Sequence, residues 1–163
     1  ITDKAQLEEC AEILKKQKPV LQQYVMDQIY SSMENEEAYI GVYYAGDCMS
    51  VMAENPDLKF VIPECGTNMF SDAMCIPKTS TKKDMAEKFI NFMLSPDAGK
   101  ANTEYVNYST PNSAVWSILD EEMKTSEIAY PQYNENWESF RNLPKETNAL
   151  ITDLWNDIKT NNK

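Results

Sequence analysis

The sequence predicts an α/β fold, and three observations lead there. Short apolar runs at 38–44, 58–62 and 73–76 are rich in β-branched, aromatic or other apolar residues, and each is closed by a Gly-Asp turn or by Pro, which is the pattern of strands. Around them lie longer stretches with apolar residues three and four apart, the spacing of amphipathic helices. Alternation of the two in one chain implies helices packed on a sheet. The third observation is size: 163 residues at 42% hydrophobic match a single core, since domains commonly run to about 100–150 residues.

Taken in order, Asp3 followed by Gln6 forms a capping box, and Leu7, Cys10, Ala11 and Leu14 recur at helical spacing until Pro19, which predicts a helix over 3–17. Residues 20–25 are expected as a short strand and 28–33 as a brief helix, with the acidic run Glu34-Asn35-Glu36-Glu37 as a solvated loop. The run Ala38-Tyr39-Ile40-Gly41-Val42-Tyr43-Tyr44 reads as a strand that turns at Ala45-Gly46-Asp47 into a helix reaching about Glu54, with Asp47 as its cap. Leu58 to Ile62, ended by Pro63, and Ala73 to Ile76, ended by Pro77, read as two more strands. Residues 82–94 place Met85, Phe89, Phe92 and Met93 on one helical face, expected to meet a core, and Pro96 opens a further helix through about Val106. Asn112 or Ser113 caps a short helix over 114–119, and 120–135 has no clear period and reads as an irregular connection. Pro144 opens the last helix, with Leu150, Ile151, Leu154, Trp155 and Ile158 on one stripe, before the polar tail of residues 160–163.

Acidic residues outnumber basic ones 26 to 15, for a formal charge of −11. Such a field repels nucleic acid and anionic membrane surfaces and attracts cations. Arg141 is the only arginine, which argues against carboxylate or phosphate ligands. The four cysteines, Cys10, Cys48, Cys65 and Cys75, show no CxxC spacing and there is no histidine, so the common mixed zinc sites are excluded and no metal is expected. We read the thiols as reduced, with Cys10 and Cys75 buried in apolar patterns. No run approaches the roughly 18–20 apolar residues of a membrane span. The chain starts Ile1-Thr2-Asp3 without an initiator Met or a signal peptide, so it is expected to be a fragment of a longer protein.

Without histidine there is no Ser-His-Asp or Cys-His arrangement, and the four glycines are isolated, so no phosphate loop is present. The residue set supplies no cofactor motif and no catalytic constellation, and binding rather than catalysis is the expected role. A flexible diamine or triamine needs aromatic walls for its methylene stem and carboxylates for its ammonium ends. Cation–π contact contributes about 0.5–2 kcal/mol per ring, and charge-assisted hydrogen bonds add to it. Tyr43, Tyr44, Phe70 and Asp72 are the right types. In an α/β sheet, ligands gather at the carboxyl ends of strands, and Tyr44 ends the 38–44 run while Phe70 and Asp72 lead into the 73–76 run.

The run Glu64-Cys65-Gly66-Thr67-Asn68-Met69-Phe70-Ser71-Asp72-Ala73-Met74-Cys75-Ile76-Pro77 resembles the ligand-binding crossover of the spermidine/putrescine-binding proteins that serve ABC transporters. Two further segments, Phe89-Ile90-Asn91-Phe92-Met93-Leu94-Ser95-Pro96-Asp97 and Tyr108-Ser109-Thr110-Pro111-Asn112, resemble that family at the same relative spacing. The resemblance runs from about Ile1 to the final helix and covers the second half of the family's sequence. It implies a two-lobed, periplasmic-binding-protein-like fold of type II, in which 1–71 and 111–163 belong to the second lobe and 72–110 is a crossover segment that packs on the first.

The same resemblance places a family ligand-stacking Trp on Tyr44, a second on Phe70, and an amine-holding carboxylate on Asp72. A polar family position falls near Trp137 to Arg141, where Glu138 suits an amine and Arg141 would repel one. The implied function is capture of a polyamine between the lobes and delivery to an ABC permease, outside the cell or in the periplasm, with any membrane attachment through an anchor or permease outside this sequence. The alternatives are a different small cationic solute, or a surface interaction module without transport binding.

Overall fold

The computed structural model describes residues 2–160. It is helix-rich, with a small sheet, and divides into two compact units, one formed by Ile1–Val25 with Phe140–Lys163 and the other by Met26–Ser139. The polar tail expected at the C-terminus lies, apart from Thr160, outside the described residues.

The first unit is a helix pair. Helix α1, Lys4–Gln17, starts where Asp3 Oδ1 accepts the Gln6 backbone N–H at 3.0 Å, the N-cap the sequence predicts. It runs into a 3-10 turn, Lys18–Val20, set by Pro19, after which the chain to Val25 has no regular structure. The strand expected at 20–25 is therefore absent, and Val20 is exposed. The other member is the last helix, which begins right after Pro144 and ends at Thr160. The two pack together and bury Ala11 and Ile158; full burial of an aliphatic side chain contributes about 1.5–3 kcal/mol. Polar contacts at the margin fix the pairing: Lys15 Nζ lies 2.6 Å from Asp157, Lys18 Nζ donates to the Lys159 carbonyl, and the Tyr24 and Trp155 rings meet edge-on at 4.8 Å. The hydrogen bonds to Asp157 and then Glu12 raise the Lys15 pKa.

The second unit contains α2 (Gln28–Glu34), α3 (Ala45–Glu54), β1 (Asn68–Met69), α4 (Lys83–Met93), α5 (Pro96–Val106), α6 (Ser113–Ile118), α7 (Glu121–Lys124) and β2 (Glu138–Ser139); the C-terminal helix of the first unit is α8 (Lys145–Thr160). The helices fall where periodicity and caps predict them. Pro96 opens α5, and Asn107 closes it in the left-handed conformation at φ 57°, a residue suited to that position. Asn112 caps α6, its Oδ1 accepting from the backbone N–H groups of Ala114 and Val115. The core of this unit holds Val51, Val115, Leu119 and Ala129, and α5 lies so close to α6 that a Cβ on Gly99 would stand 2.5 Å from a Val115 methyl. A one-turn helix, α7, interrupts the stretch expected to be irregular.

The strands are where structure and sequence part. Among the described residues the sheet consists of β1 and β2, parallel, with Asn68 opposite Glu138 and Met69 opposite Ser139. Neither was expected, and the runs 38–44, 58–62 and 73–76 are not strands. Tyr44 keeps an extended backbone, φ −76° and ψ 146°, so local preference for the strand conformation is present while the hydrogen-bonding neighbour is not. A helix satisfies its N–H and C=O groups within itself; a strand needs another strand beside it.

Three smaller corrections share that logic. The outward face of α4 carries Met85, Phe89 and Phe92, all exposed rather than packed on a core. Cys10 and Cys75 are exposed free thiols, not buried ones, and Cys48 is half-buried. Asp47 does not cap α3: Tyr44 holds that position, and Asp47 sits in the first turn, where its carboxylate has another use.

Candidate functional site

The site is built at the entrance of α3. The extended chain delivers Tyr43 and Tyr44 side by side, ring centroids 5.2 Å apart, immediately before the helix begins. Phe70 follows directly on β1 and meets Tyr44 edge-to-face at 5.3 Å, then Tyr108 at 6.2 Å. Four rings thus form one continuous chain drawn from three separate segments. Edge-to-face contacts at this spacing add about 0.5–1.5 kcal/mol beyond simple burial.

Carboxylates sit around the rings. Tyr108 donates its hydroxyl proton to Asp47 Oδ2 at 2.6 Å, and Tyr43 donates to Asp27 Oδ1 at 2.7 Å. Burial, then the hydrogen bond to Asp47, pushes the Tyr108 phenol well above its ordinary value, and the charge of Asp72 adds to the effect. Its bond to Asp27 raises the Tyr43 phenol to about 12. Both phenols are therefore fixed as protonated donors to these carboxylate oxygens at neutral pH. Asp47 gains further from its place in the first turn of α3, where the helix dipole favours negative charge.

Gly46 is what allows the ring of Tyr108 to lie there. A Cβ at that position would fall 2.3 Å from Tyr108 Cδ2 and 2.5 Å from Cε2, so the close approach of ring to backbone requires glycine. Next to it, Asn107 Nδ2 donates to Ser50 Oγ at 2.8 Å and holds the end of α5 against α3.

Of the residues singled out from sequence, Tyr44 and Phe70 are in contact and partly exposed, so each offers ring surface to a ligand. Asp72 lies two residues beyond Phe70, exposed, and near enough for Tyr108 to feel its charge. Glu138 is on β2, opposite Asn68, with its backbone N–H donating to the Thr67 carbonyl at 3.0 Å; the sheet thus sets it beside the run that leads to Phe70. The turn before that run depends on Gly66, at φ +113°, where a Cβ would meet the Asn136 carbonyl oxygen at 2.3 Å.

Sequence reasoning missed three residues of this cluster, among them Asp27, which nothing in its own surroundings marks. Asp47 was read as a helix cap, and Tyr108 was noticed only as part of a motif. The available signal was Gly46, a lone glycine between a strand-like run and a helix, which marks a close approach of another group. Aromatic rings flanked by Asp27, Asp47 and Asp72 are the chemistry that suits a cation with an apolar body. Among the described residues no group of His, Cys, Asp or Glu is arranged to hold a metal ion.

A helix-rich α/β fold with an acidic, aromatic-walled cluster points to a class, the solute-binding proteins. Residues 2–136 match the model of the bacterial extracellular solute-binding proteins, and the chain belongs to that family. Its fold is shared with a solved protein of Listeria monocytogenes, provisionally assigned as a spermidine/putrescine ABC transporter, at a TM-score of 0.87 and 34% identity over 98% of this chain and 50% of that one. The spermidine/putrescine ABC transporter substrate-binding protein PotD of Streptococcus pneumoniae matches at a TM-score of 0.78 and 33% identity, again covering 98% of this chain and 50% of that one. Among curated relatives, the spermidine/putrescine-binding periplasmic protein of Salmonella typhimurium is 30% identical over 80% of this chain and 37% of its own length. The putrescine-binding periplasmic protein PotF of Escherichia coli is 25% identical over 91% of this chain and 42% of its own length. The chain therefore spans half or less of the length of these relatives.

Proposed function

We propose that this chain supplies one half of a polyamine receptor that captures putrescine, spermidine or a close relative and delivers it to an ABC permease. The observation that carries the reading is the chain of rings from Tyr44 through Phe70 to Tyr108, flanked by Asp47 and Asp72. In this reading Tyr44 and Phe70 stack on the methylene stem, Asp72 holds one ammonium group, and Glu138 lies near enough along the sheet to attract a second. Tyr108 and Asp47 form the floor, the hydroxyl orienting the carboxylate and sharing it with an incoming amine. The relatives' names support the ligand class, and the net charge of −11 supports a cation. No catalytic step is needed: binding and release suffice.

Residues 1–71 and 111–163 are assigned to the second lobe and 72–110 to a segment packing on the first, with ligand captured as the lobes close. Among the described residues no helix is long and apolar enough to cross a membrane, and the relatives are periplasmic, so we place the protein outside the cytoplasmic membrane.

Calorimetric titration of putrescine and spermidine into the full-length protein carrying this sequence tests the reading, with Asp72→Ala alongside. Saturable binding that weakens at least tenfold in Asp72→Ala is the expected result. Unchanged affinity in the variant removes Asp72 from the site, and no binding by either protein sinks the polyamine assignment.

A further inference from the structure

Helix α5 is closed by an asparagine where glycine would be less strained. Asn107 stands at φ 57° and ψ 19°, the left-handed conformation that glycine enters most readily because it has no side chain. Asparagine tolerates the position and brings an amide with it. That amide is used. Its Nδ2 donates to Ser50 Oγ at 2.8 Å, and the Ser50 hydroxyl in turn donates to the Gly46 carbonyl at 3.3 Å. A hydroxyl has one proton to give; with it committed to Gly46, Ser50 accepts from Asn107, and the direction of both bonds is fixed.

The next residue is Tyr108. Gly46, Asp47 and Ser50 are three and four apart in α3 and so share a face of it. Residues 107 and 108 occupy that face together: the amide on Ser50, the ring against Gly46, and the phenol 2.6 Å from Asp47 Oδ2. A hydrogen bond at the tip of the ring fixes where the hydroxyl sits but not the backbone it comes from. The attachment one residue earlier fixes the backbone. Gly46 is buried, and Asp47, Ser50, Asn107 and Tyr108 are half-buried, so these bonds are made away from the open surface. The other carboxylate oxygen, Asp47 Oδ1, accepts no hydrogen bond from the described residues.

We propose that Asn107, acting through Ser50, is a positioning residue of the binding site: it sets the backbone from which Tyr108 reaches Asp47, so that the hydroxyl engages one carboxylate oxygen and leaves the other to an ammonium group. The amide itself touches no ligand. It holds ring and carboxylate in one geometry before the ligand arrives, which reduces the ordering that binding has to supply. The part played by Asp47 toward an ammonium group rests on the polyamine reading; the positioning of Tyr108 does not.

Asn107→Gly tests this in the full-length protein carrying this sequence, because glycine keeps the left-handed backbone and removes only the amide; Ser50→Ala removes the acceptor from the other side. In protein carrying isotope-labelled tyrosine and no polyamine, the NMR signal of the Tyr108 ring carbon that bears the hydroxyl, identified by its loss in Tyr108→Phe, reports the bond to Asp47. It should move in both variants. In calorimetric titration, putrescine affinity should fall about three- to tenfold in either variant, as for the loss of one hydrogen bond. It should fall no further in the double variant, and not at all when Asn107→Gly is added to Tyr108→Phe. An unmoved Tyr108 signal in either variant overturns the inference, whatever the affinity. So does a moved signal with unchanged affinity in a protein that binds putrescine. A loss from Asn107→Gly that is as large beside Tyr108→Phe as without it also overturns the inference, since the amide would then act through general loosening of the fold. A moved signal in a protein that binds no putrescine sinks the polyamine reading and leaves the positioning of Tyr108 standing.

Discussion

The α1–α8 pair and the run from Tyr39 to Tyr44 are both apolar-patterned, yet they end in opposite conditions. In the pair, Ala11 and Ile158 are buried, and Lys15, Asp157, Lys18 and Lys159 close the margin with polar contacts. In the run, Tyr39, Ile40 and Val42 lie open to solvent and the backbone is unpaired. Sequence separation does not explain this, since Lys15 and Asp157 are far apart along the chain. What differs is where the hydrogen bonds go: each helix brings its own and needs only a face to pack, whereas a strand has to borrow a partner's backbone. Helical patterning therefore completes itself within the chain, whereas strand patterning is realised only where another strand lies beside it.

The comparison can be broken most severely at Ile158. Ile158→Ala removes a buried side chain from the pair and should cost about 2–5 kcal/mol, read as a fall in the urea midpoint of the chain. Gly46→Ala strikes the second unit at the ring cluster: the added methyl meets the Tyr108 ring, and overpacking of this kind costs about 1–3 kcal/mol. Its fingerprint is a changed tyrosine environment in near-ultraviolet circular dichroism, which an equal loss at Ile158 would not give before unfolding.

A smaller effect follows from pH. The folded Tyr43 phenol keeps its proton up to about 12, against an ordinary value of about 10. The unfolded chain then holds fewer protons than the folded one between those values, so the contribution of Tyr43 is complete below pH 10 and declines as pH rises through 12. Urea midpoints at pH 9 and pH 11.5 should fall less in Tyr43→Phe than in the unaltered chain. The smallest effect belongs to Ile40→Ala, which in the chain alone should stay within about 0.5 kcal/mol. A loss there as large as that at Ile158 would mean the run is already packed, and the contrast between the two regions would collapse.

What was legible in the sequence divides along the same line. Asp3, Pro96, Asn112 and Pro144 mark helix starts through local chemistry, and each helix begins where they indicate. The runs at 38–44, 58–62 and 73–76 carry strand preference just as visibly, but propensity describes one residue's fit to a pleated surface and cannot supply the surface. Conversely, β1 and β2 were illegible because nothing in Asn68-Met69 or Glu138-Ser139 marks a strand; they pair because the Gly66 turn brings one segment to the other. In the ring cluster, Tyr44 and Phe70 were readable as aromatics at the ends of runs, and they do meet. Asp47 was not readable in its present part, because its partner Tyr108 lies far along the chain and only the missing side chain of Gly46 hints at a ring above it.

Asn112 ties its own neighbourhood together in a different sense. Its Oδ1 starts α6 by receiving two backbone N–H groups, while its Nδ2 donates to the Leu94 carbonyl at the end of α4, 2.9 Å away. One side chain thus clasps both ends of the loop that contains all of α5. The ends of the stretch from Leu94 to Asn112 meet through one amide, a contact worth about 0.5–1.5 kcal/mol, so Asn112→Ala removes at once the start of α6 and the tether that holds it to the end of α4.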